Sequence, residues 1–128
     1  MLDYDAYYKA VNRQVNDLFY YYREQAALKA RQYQRALDDI VKAIELSPKD
    51  LTYRAEHAVV NLRVGRYEES MKILNEILKD EPKYGEAYRL LGLCQIQLKK
   101  TDEACGNFNK AKELGDPNVD ELIKKYCK

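Results

Sequence analysis

A period of 34 residues constrains this 128-residue chain more than any other feature of its sequence. Ala36, Ser70 and Ala104 are separated by that step, and all three are small. The same step relates Tyr33 to Tyr67, Pro48 to Pro82 (with the near-match Asp116-Pro117), and the apolar set Ile40, Leu74 and Phe108. Such a period is typical of a two-helix unit that stacks on copies of itself. The repeated positions therefore indicate how the helices pack, and do not by themselves indicate a chemical function.

Helix stops divide the chain into segments of similar length. Apolar residues recur at intervals of three and four, and the pattern breaks at Pro48, at Pro82 and at Gly115-Asp116-Pro117. Proline lacks an amide hydrogen and disfavours helical geometry in the residue before it. The pattern predicts helices at 17–30, 33–46, 51–64, 67–79, 84–98, 101–114 and 117–127, with a lead-in helix at 2–14. A continuous helix over 3–30 is an alternative, because no Gly or Pro interrupts that stretch.

The predicted fold class is all-α, an α-α superhelix (solenoid) of three helix-turn-helix repeats with an N-terminal helix and a C-terminal capping helix. We expect one domain over 1–128, with repeats at about 17–50, 51–84 and 85–116. Gly115 suits the left-handed residue that follows a helix. Leu122, Ile123 and Tyr126 are expected to cover the last repeat, because the end of a repeat stack needs a cap with a polar outer face.

The repeated residues resemble the tetratricopeptide repeat (TPR) family, and the resemblance covers residues 17–116. The likeness rests on Tyr33, Ala36, Ile40, Ala43 and Pro48 in the first copy, on Ala58, Tyr67, Ser70, Leu74 and Pro82 in the second, and on Tyr88, Leu91, Gly92, Ala104, Phe108 and Ala111 in the third. Arg23 and Glu24 depart from it, because the family prefers Leu and a small residue there. The resemblance implies a bacterial TPR-domain protein that binds other proteins.

The resemblance also implies a concave groove lined by the first helix of each repeat. Its expected peptide-binding residues are Tyr21, Gln25, Leu28, Lys29, Val59, Leu62, Arg63, Arg89, Leu93 and Ile96. The wall of this groove is otherwise apolar and carries three isolated cations, Lys29, Arg63 and Arg89. Such a surface suits a peptide or helix with apolar anchors and one or two acidic side chains. The alternative for each apolar residue is that it packs against a neighbouring helix.

Some members of the family grip a C-terminal carboxylate with paired Lys and Asn side chains. The matching places here hold Tyr21, Gln25, Ala55, Glu56 and Val59. These residues do not supply that set of donors, so we expect no recognition of chaperone C-terminal tails.

Aromatic residues are concentrated at the start of the chain. They are Tyr4, Tyr7, Tyr8, Phe19, Tyr20, Tyr21 and Tyr22. One interpretation is that they cover the first repeat. The other is an exposed docking surface for a neighbouring domain or for a second copy of the chain, since aromatic side chains are favoured at interfaces.

Little in the sequence predicts catalysis. His57 is the sole histidine of the chain, and no phosphate-binding loop, paired-His helix or nucleophile elbow accompanies it. The acidic pairs Asp38-Asp39 and Glu68-Glu69 are expected on exposed faces. We predict no catalytic, cofactor-binding or metal-binding residue and no cofactor; a hydrolase using His57 is the rival hypothesis.

The charge balance and the cysteine content limit the possible partners and the possible cellular location. Lys plus Arg number 22 against 21 Asp plus Glu, which disfavours nucleic acid as a partner, including for a helical-repeat RNA binder. No apolar run suits a membrane span or a secretory signal, so a cytoplasmic location is favoured, with a processed longer precursor left open. Cys94, Cys105 and Cys127 are expected to act as small apolar residues, and their odd count favours a reducing compartment. An interaction segment of a larger enzyme or secreted assembly is a further alternative.

Overall fold

A computed structural model describes residues 16–127, and this range contains seven α-helices and no strand. The helices are α1 (Asn16–Lys29), α2 (Tyr33–Leu46), α3 (Leu51–Arg63), α4 (Tyr67–Asp80), α5 (Gly85–Gln97), α6 (Thr101–Glu113) and α7 (Asp120–Tyr126). The bounds of α1 to α6 agree with the predicted helices to within one residue at each end. The predicted lead-in helix 2–14, with Tyr4, Tyr7 and Tyr8, lies outside the described residues, as does the first part of the alternative helix 3–30.

A left-handed residue ends the first helix of each pair. Arg31, Gly65 and Lys99 have φ values of 60°, 88° and 62°, and they are themselves 34 residues apart. At each turn the next amide reaches back five residues, as when Arg66 N–H donates to the Asn61 carbonyl over 2.8 Å. This pair of features defines a Schellman motif, which satisfies the last carbonyls of a helix. Gly115, with φ 87°, ends α6 in the same way, as predicted.

The predicted small and apolar positions are buried at every copy. Ala36, Ser70 and Ala104 have no exposed surface, and the same holds for Ile40, Leu74 and Phe108. The Ser70 hydroxyl donates to the Ala58 carbonyl over 2.7 Å, so even the one polar member of the set is satisfied between helices. The 34-residue period therefore marks the contacts within the helix pairs, as expected.

Two compact units divide the described chain, 16–54 and 55–127, with the boundary inside α3. In the first unit α1 packs on α2, and Ala27, Ala36, Ile40 and Ala43 form its interior. In the second unit α5 packs on both α4 and α6, and α7 packs on α6. One apolar cluster of that unit consists of Ala104, Phe108, Ala111 and Val119.

The C-terminal cap begins later than predicted. The helix starts at Asp120 rather than at 117, because the Asp116 carboxylate accepts the Asn118 N–H over 2.8 Å and holds Pro117-Asn118 as a turn. Leu122, Ile123 and Tyr126 are half-buried against the cluster around Phe108, which confirms their predicted contact with the last repeat.

The cysteine prediction is wrong for two of the three residues. Cys105 on α6 and Cys127 after α7 form a disulfide, with their Cα atoms 5.7 Å apart. Cys94 is a free thiol with no exposed surface, as expected. The partners are 22 residues apart in no recognisable motif, so only the packing of α7 on α6 brings them together. The odd count therefore gives no argument for a reducing compartment.

Candidate functional site

The candidate residues of the first unit share one face of α1. Tyr21, Gln25, Leu28 and Lys29 are spaced by four, three and one, which places them on adjacent turns. Tyr21 and Gln25 are half-buried, Leu28 is buried and Lys29 is exposed. The Tyr21 ring lies 5.2 Å from the Tyr53 ring, centroid to centroid. This face therefore offers a partly covered aromatic ring, with one exposed cation two turns further along the helix.

A hydrogen-bond network at the base of α1 orients that face. Asp17 accepts a hydrogen bond of 2.8 Å from the Tyr53 hydroxyl and one of 3.2 Å from the Ser47 hydroxyl. Burial raises the pKa of Asp17, but these hydrogen bonds outweigh burial and leave the pKa below its ordinary value. Burial, and then the hydrogen bond to Asp17, raises the pKa of Tyr53. Sequence reasoning did not identify this network, since its members lie up to 36 residues apart.

The departure from the family pattern at Arg23 has a structural explanation. Its guanidinium binds Asp39 in a bidentate pair, with Nε to Oδ2 at 2.9 Å and Nη2 to Oδ1 at 2.6 Å. The hydrogen bond to Asp39 raises the pKa of Arg23. The same guanidinium lies 5.0 Å from the ring centroid of Phe19 and 5.5 Å from that of Tyr20. The expectation that Asp39 lies on an exposed face is wrong, because its side chain is only 2% exposed and is paired with Arg23.

Three candidate residues of the second unit share one face of α3. Val59 and Leu62 are half-buried, and Arg63, one turn from Val59, is exposed. The arrangement places apolar atoms within one helical turn of a solvated cation. Such a face can contact an apolar side chain and an acidic neighbour of a ligand.

Arg89 is not the isolated cation that the sequence indicates. Its Nε lies 2.8 Å from Asp116 Oδ2, and a second nitrogen lies 3.7 Å from Glu86 Oε1. Only 17% of the Arg89 side chain is exposed, against 2% for Asp116. A surface pocket of about 310 Å³ lies beside this pair, between the start of α5 and the loop after α6. Arg89 is thus neutralised by its neighbours.

Leu93 and Ile96 on α5 are only partly available to a ligand. Both are half-buried and pack against the cluster of Ala104, Phe108, Ala111 and Val119. The packing role that the sequence left as an alternative therefore accounts for part of their surface. None of the α5 candidates is exposed, whereas α1 and α3 each carry one exposed cation, Lys29 and Arg63.

The described residues show no arrangement typical of an active site. His57 is half-buried; burial lowers its pKa, with the Glu69 charge acting in the opposite direction. Between residues 16 and 127, no three His, Cys, Asp or Glu side chains converge as metal ligands would. None of the helices in that range has the length and apolar character of a membrane span.

The helix pairs, their left-handed turns and their buried small residues define an α-helical repeat protein. A model of the tetratricopeptide repeat matches residues 27–90, half of the chain. The chain therefore belongs to the TPR family, as the repeated residues predicted. TPR domains are generally non-catalytic modules for protein interaction.

Relatives and solved structures agree with this assignment. The chain is 30% identical over 99 residues to small glutamine-rich tetratricopeptide repeat-containing protein 2 of Mycosarcoma maydis, and the match covers 77% of this chain and 28% of that protein. It is 32% identical over 101 residues to heat shock protein STI1 of Saccharomyces cerevisiae, covering 76% of this chain and 17% of that one. The second TPR domain of human RPAP3, solved with the HSP70 peptide SGPTIEEVD, has the same fold, with a TM-score of 0.72, 21% identity and coverage of 91% and 98%.

These comparisons show the family and the all-α fold class. The chain spans less than a third of each of the two relatives. The relatives are fungal and the solved structure is human, so the bacterial origin that the resemblance implied stays a prediction.

Proposed function

We propose that this chain is a non-catalytic scaffold that binds a peptide or helix segment on the first helices of its repeats. Membership of a family of interaction modules supports the proposal. The observation that carries it is the face of α3, where half-buried Val59 and Leu62 adjoin the exposed Arg63. On α1, half-buried Gln25 lies one turn and half-buried Tyr21 two turns before the exposed Lys29. We infer a ligand with apolar anchors and at least one acidic side chain.

Selection from a random peptide library, followed by fluorescence anisotropy, tests this assignment. Arg63→Glu should weaken the binding of the selected peptides by up to about fivefold, since one lost surface charge contact is worth up to about 1 kcal/mol. Lys72→Glu is the matched control, because Lys72 is an exposed cation on the second helix of the same repeat. Equal affinity in both variants would place the site elsewhere.

We also propose that the ligand is not held by its C-terminal carboxylate. The human RPAP3 domain was solved with a peptide that ends in EEVD. In this chain Tyr21, Gln25, Ala55, Glu56 and Val59 stand where the resemblance places the carboxylate donors. Titration with SGPTIEEVD should give no saturable binding; binding that is lost when the C-terminus is amidated would contradict the proposal.

The absence of catalysis is part of the same proposal. Half-buried His57 has its pKa lowered by burial, which keeps the ring neutral near pH 7, and no convergent acid or nucleophile accompanies it among the motifs of the sequence. A hydrolase that depends on His57 would lose its activity in His57→Ala. If the protein hydrolyses ester or phosphoester probes and His57→Ala abolishes that hydrolysis, the result would favour the rival function.

We propose that the scaffold serves as the interaction module of a longer protein. The two relatives are between three and six times longer than the regions they share with this chain. An adjoining reading frame with a further domain would support this.

We also infer that nucleic acid is not the partner, because the basic and acidic side chains balance in number. A gel shift with RNA at low salt would contradict this inference.

Exposed apolar side chains on α1 favour a second proposal, self-association through the N-terminal tyrosine-rich region. Leu18, Phe19 and Tyr22 are 42%, 54% and 62% exposed. Sedimentation equilibrium should show a dimer that dissociates in Phe19→Asp. The matched control is Val41→Asp, which replaces an apolar residue on α2 that is 39% exposed. A monomer at all concentrations would exclude this role.

A further inference from the structure

We propose that the Cys105–Cys127 disulfide keeps the C-terminal cap, residues 117–127, on the last repeat, and that its reduction releases the cap. The disulfide joins the fifth residue of α6 to the residue that follows α7. It therefore closes a loop that contains the last nine residues of α6, the turn at Pro117 and the whole of α7. The inference is independent of which peptide the scaffold binds.

The cap has little stability of its own. α7 contains seven residues, and isolated helices shorter than about 12–15 residues are marginal in water. None of the α7 residues is fully buried. Its apolar contacts are made by the half-buried Leu122, Ile123 and Tyr126, with the Tyr126 ring stacked at 6.4 Å from the Phe108 ring. One exposed ion pair, between Asp120 and Lys112 at 3.4 Å, adds little to the stability of the cap. Val119, just before the helix, is the one residue of 117–127 with no exposed surface.

Release of the cap would expose the part of an apolar cluster on α6 that α5 does not cover. Ala104, Phe108 and Ala111 lie on one face of α6, spaced by four and three, and each is fully buried. Part of their cover is supplied by Val119 and the cap side chains. In a repeat stack this end is where a further repeat would pack, so its apolar surface needs either a cap or a neighbour. The disulfide thus determines whether the end of the stack is closed.

The redox step is a thiol–disulfide exchange with an external dithiol. A thiolate of the dithiol attacks one sulfur and displaces the other as a thiolate; its second thiolate then resolves the mixed disulfide. Cys105 and Cys127 gain two electrons and two protons in total, and the dithiol becomes a disulfide. Cys105 and Cys127 are half-buried and therefore partly accessible. Cys94 is fully buried and burial raises the pKa of its thiol, so it does not supply the attacking thiolate.

Hydrogen exchange with mass detection, in oxidised and dithiothreitol-reduced protein, tests the proposal. The Ile123 and Cys127 amides, which donate to Val119 and Ile123 carbonyls, should exchange at least about tenfold faster after reduction, because the closed loop no longer restrains the cap. Binding of an apolar dye should rise in parallel. Amides in α4 should keep their rates, since α4 lies outside the closed loop.

Variants separate this effect from general damage. Cys105→Ser should show fast cap exchange without reductant, whereas Cys94→Ser should respond to reductant as the unsubstituted protein does. The reduced unsubstituted protein gives the same answer should Cys105→Ser fail to fold. Unchanged exchange in protein whose mass has risen by about 2 Da on reduction would overturn the proposal. So would an air-oxidised protein whose mass shows no disulfide.

Discussion

Arg89 and Asp116 form an ion pair across 27 residues, with Nε 2.8 Å from Oδ2, and the Asp116 side chain is 2% exposed. The pair ties the first turns of α5 to the loop that follows α6. Asp116 also accepts the Asn118 N–H, so one carboxylate holds both the third helix pair and the turn into the cap. A residue that the sequence assigns to ligand binding thus has a structural role.

Asp116→Ala should lower the free energy of unfolding by about 2–4 kcal/mol, because the largely buried Arg89 guanidinium loses its nearest carboxylate and keeps only Glu86, at 3.7 Å. Chemical denaturation monitored by circular dichroism measures the change. Lys110→Ala is the control: its pair with Glu113 spans 3.7 Å between exposed side chains, and the expected loss is below about 1 kcal/mol. Equal effects of the two substitutions would show that the Arg89–Asp116 pair contributes no more to stability than an exposed ion pair does.

The architecture could be predicted because it depends on a local pattern. The proline positions and the 34-residue period predicted the bounds of α1 to α6 to within one residue. The left-handed conformation of Gly115 was predicted from its position after a helix. These signals depend on backbone geometry and side-chain size, which the sequence states directly. The predicted helix bounds place Arg31 and Lys99 between helices, but the left-handed conformation of these two residues was not predicted, since nothing in an Arg or Lys side chain indicates a positive φ.

Side-chain partnerships could not be predicted in the same way. Arg23 with Asp39, Asp17 with Tyr53, and Cys105 with Cys127 are separated by 16, 36 and 22 residues. Each depends on how one helix is rotated against another, and a repeat period does not specify that rotation. The candidate site shares this limit, since Arg89 has the same side chain whether it faces a ligand or Asp116.

Gly92 and Gly106 make a matched pair of helical glycines with opposite expected behaviour. A Cβ added at Gly92 would lie 2.6 Å from Cδ1 of the fully buried Phe108, so Gly92→Ala should cost about 1–3 kcal/mol through overpacking. A Cβ at Gly106 meets nothing within 4 Å, so Gly106→Ala should stabilise α6 by up to about 1 kcal/mol. Thermal denaturation of both variants checks the signs. A stabilised Gly92→Ala would place Phe108 elsewhere.

The left-handed turn residues predict a stabilising substitution. Lys99 adopts φ 62° without the conformational freedom of glycine, so Lys99→Gly should raise stability by about 0.5–1 kcal/mol. Gly65→Ala, at the equivalent position of the preceding pair, should lower it by about 1 kcal/mol, although a Cβ there meets no neighbouring atom. Urea midpoints measure both. Changes of the same sign would mean that backbone geometry does not decide stability at this turn.

His57 predicts a fall in stability on mild acidification. Burial lowers its pKa in the folded state below the ordinary value of 6.5, so the unfolded chain binds its proton first as the pH falls. The stabilisation from the neutral ring is therefore fully present above pH 6.5 and is lost progressively below it, towards the folded-state pKa. Carboxylates ordinarily titrate at about pH 4 and the α-amino group at about pH 8. Between about pH 5 and 7, the main group that changes charge is therefore the one histidine of the chain. Urea denaturation at pH 7.0 and 5.5 should show a loss that disappears in His57→Gln, whereas an equal loss in that variant would assign it to other groups.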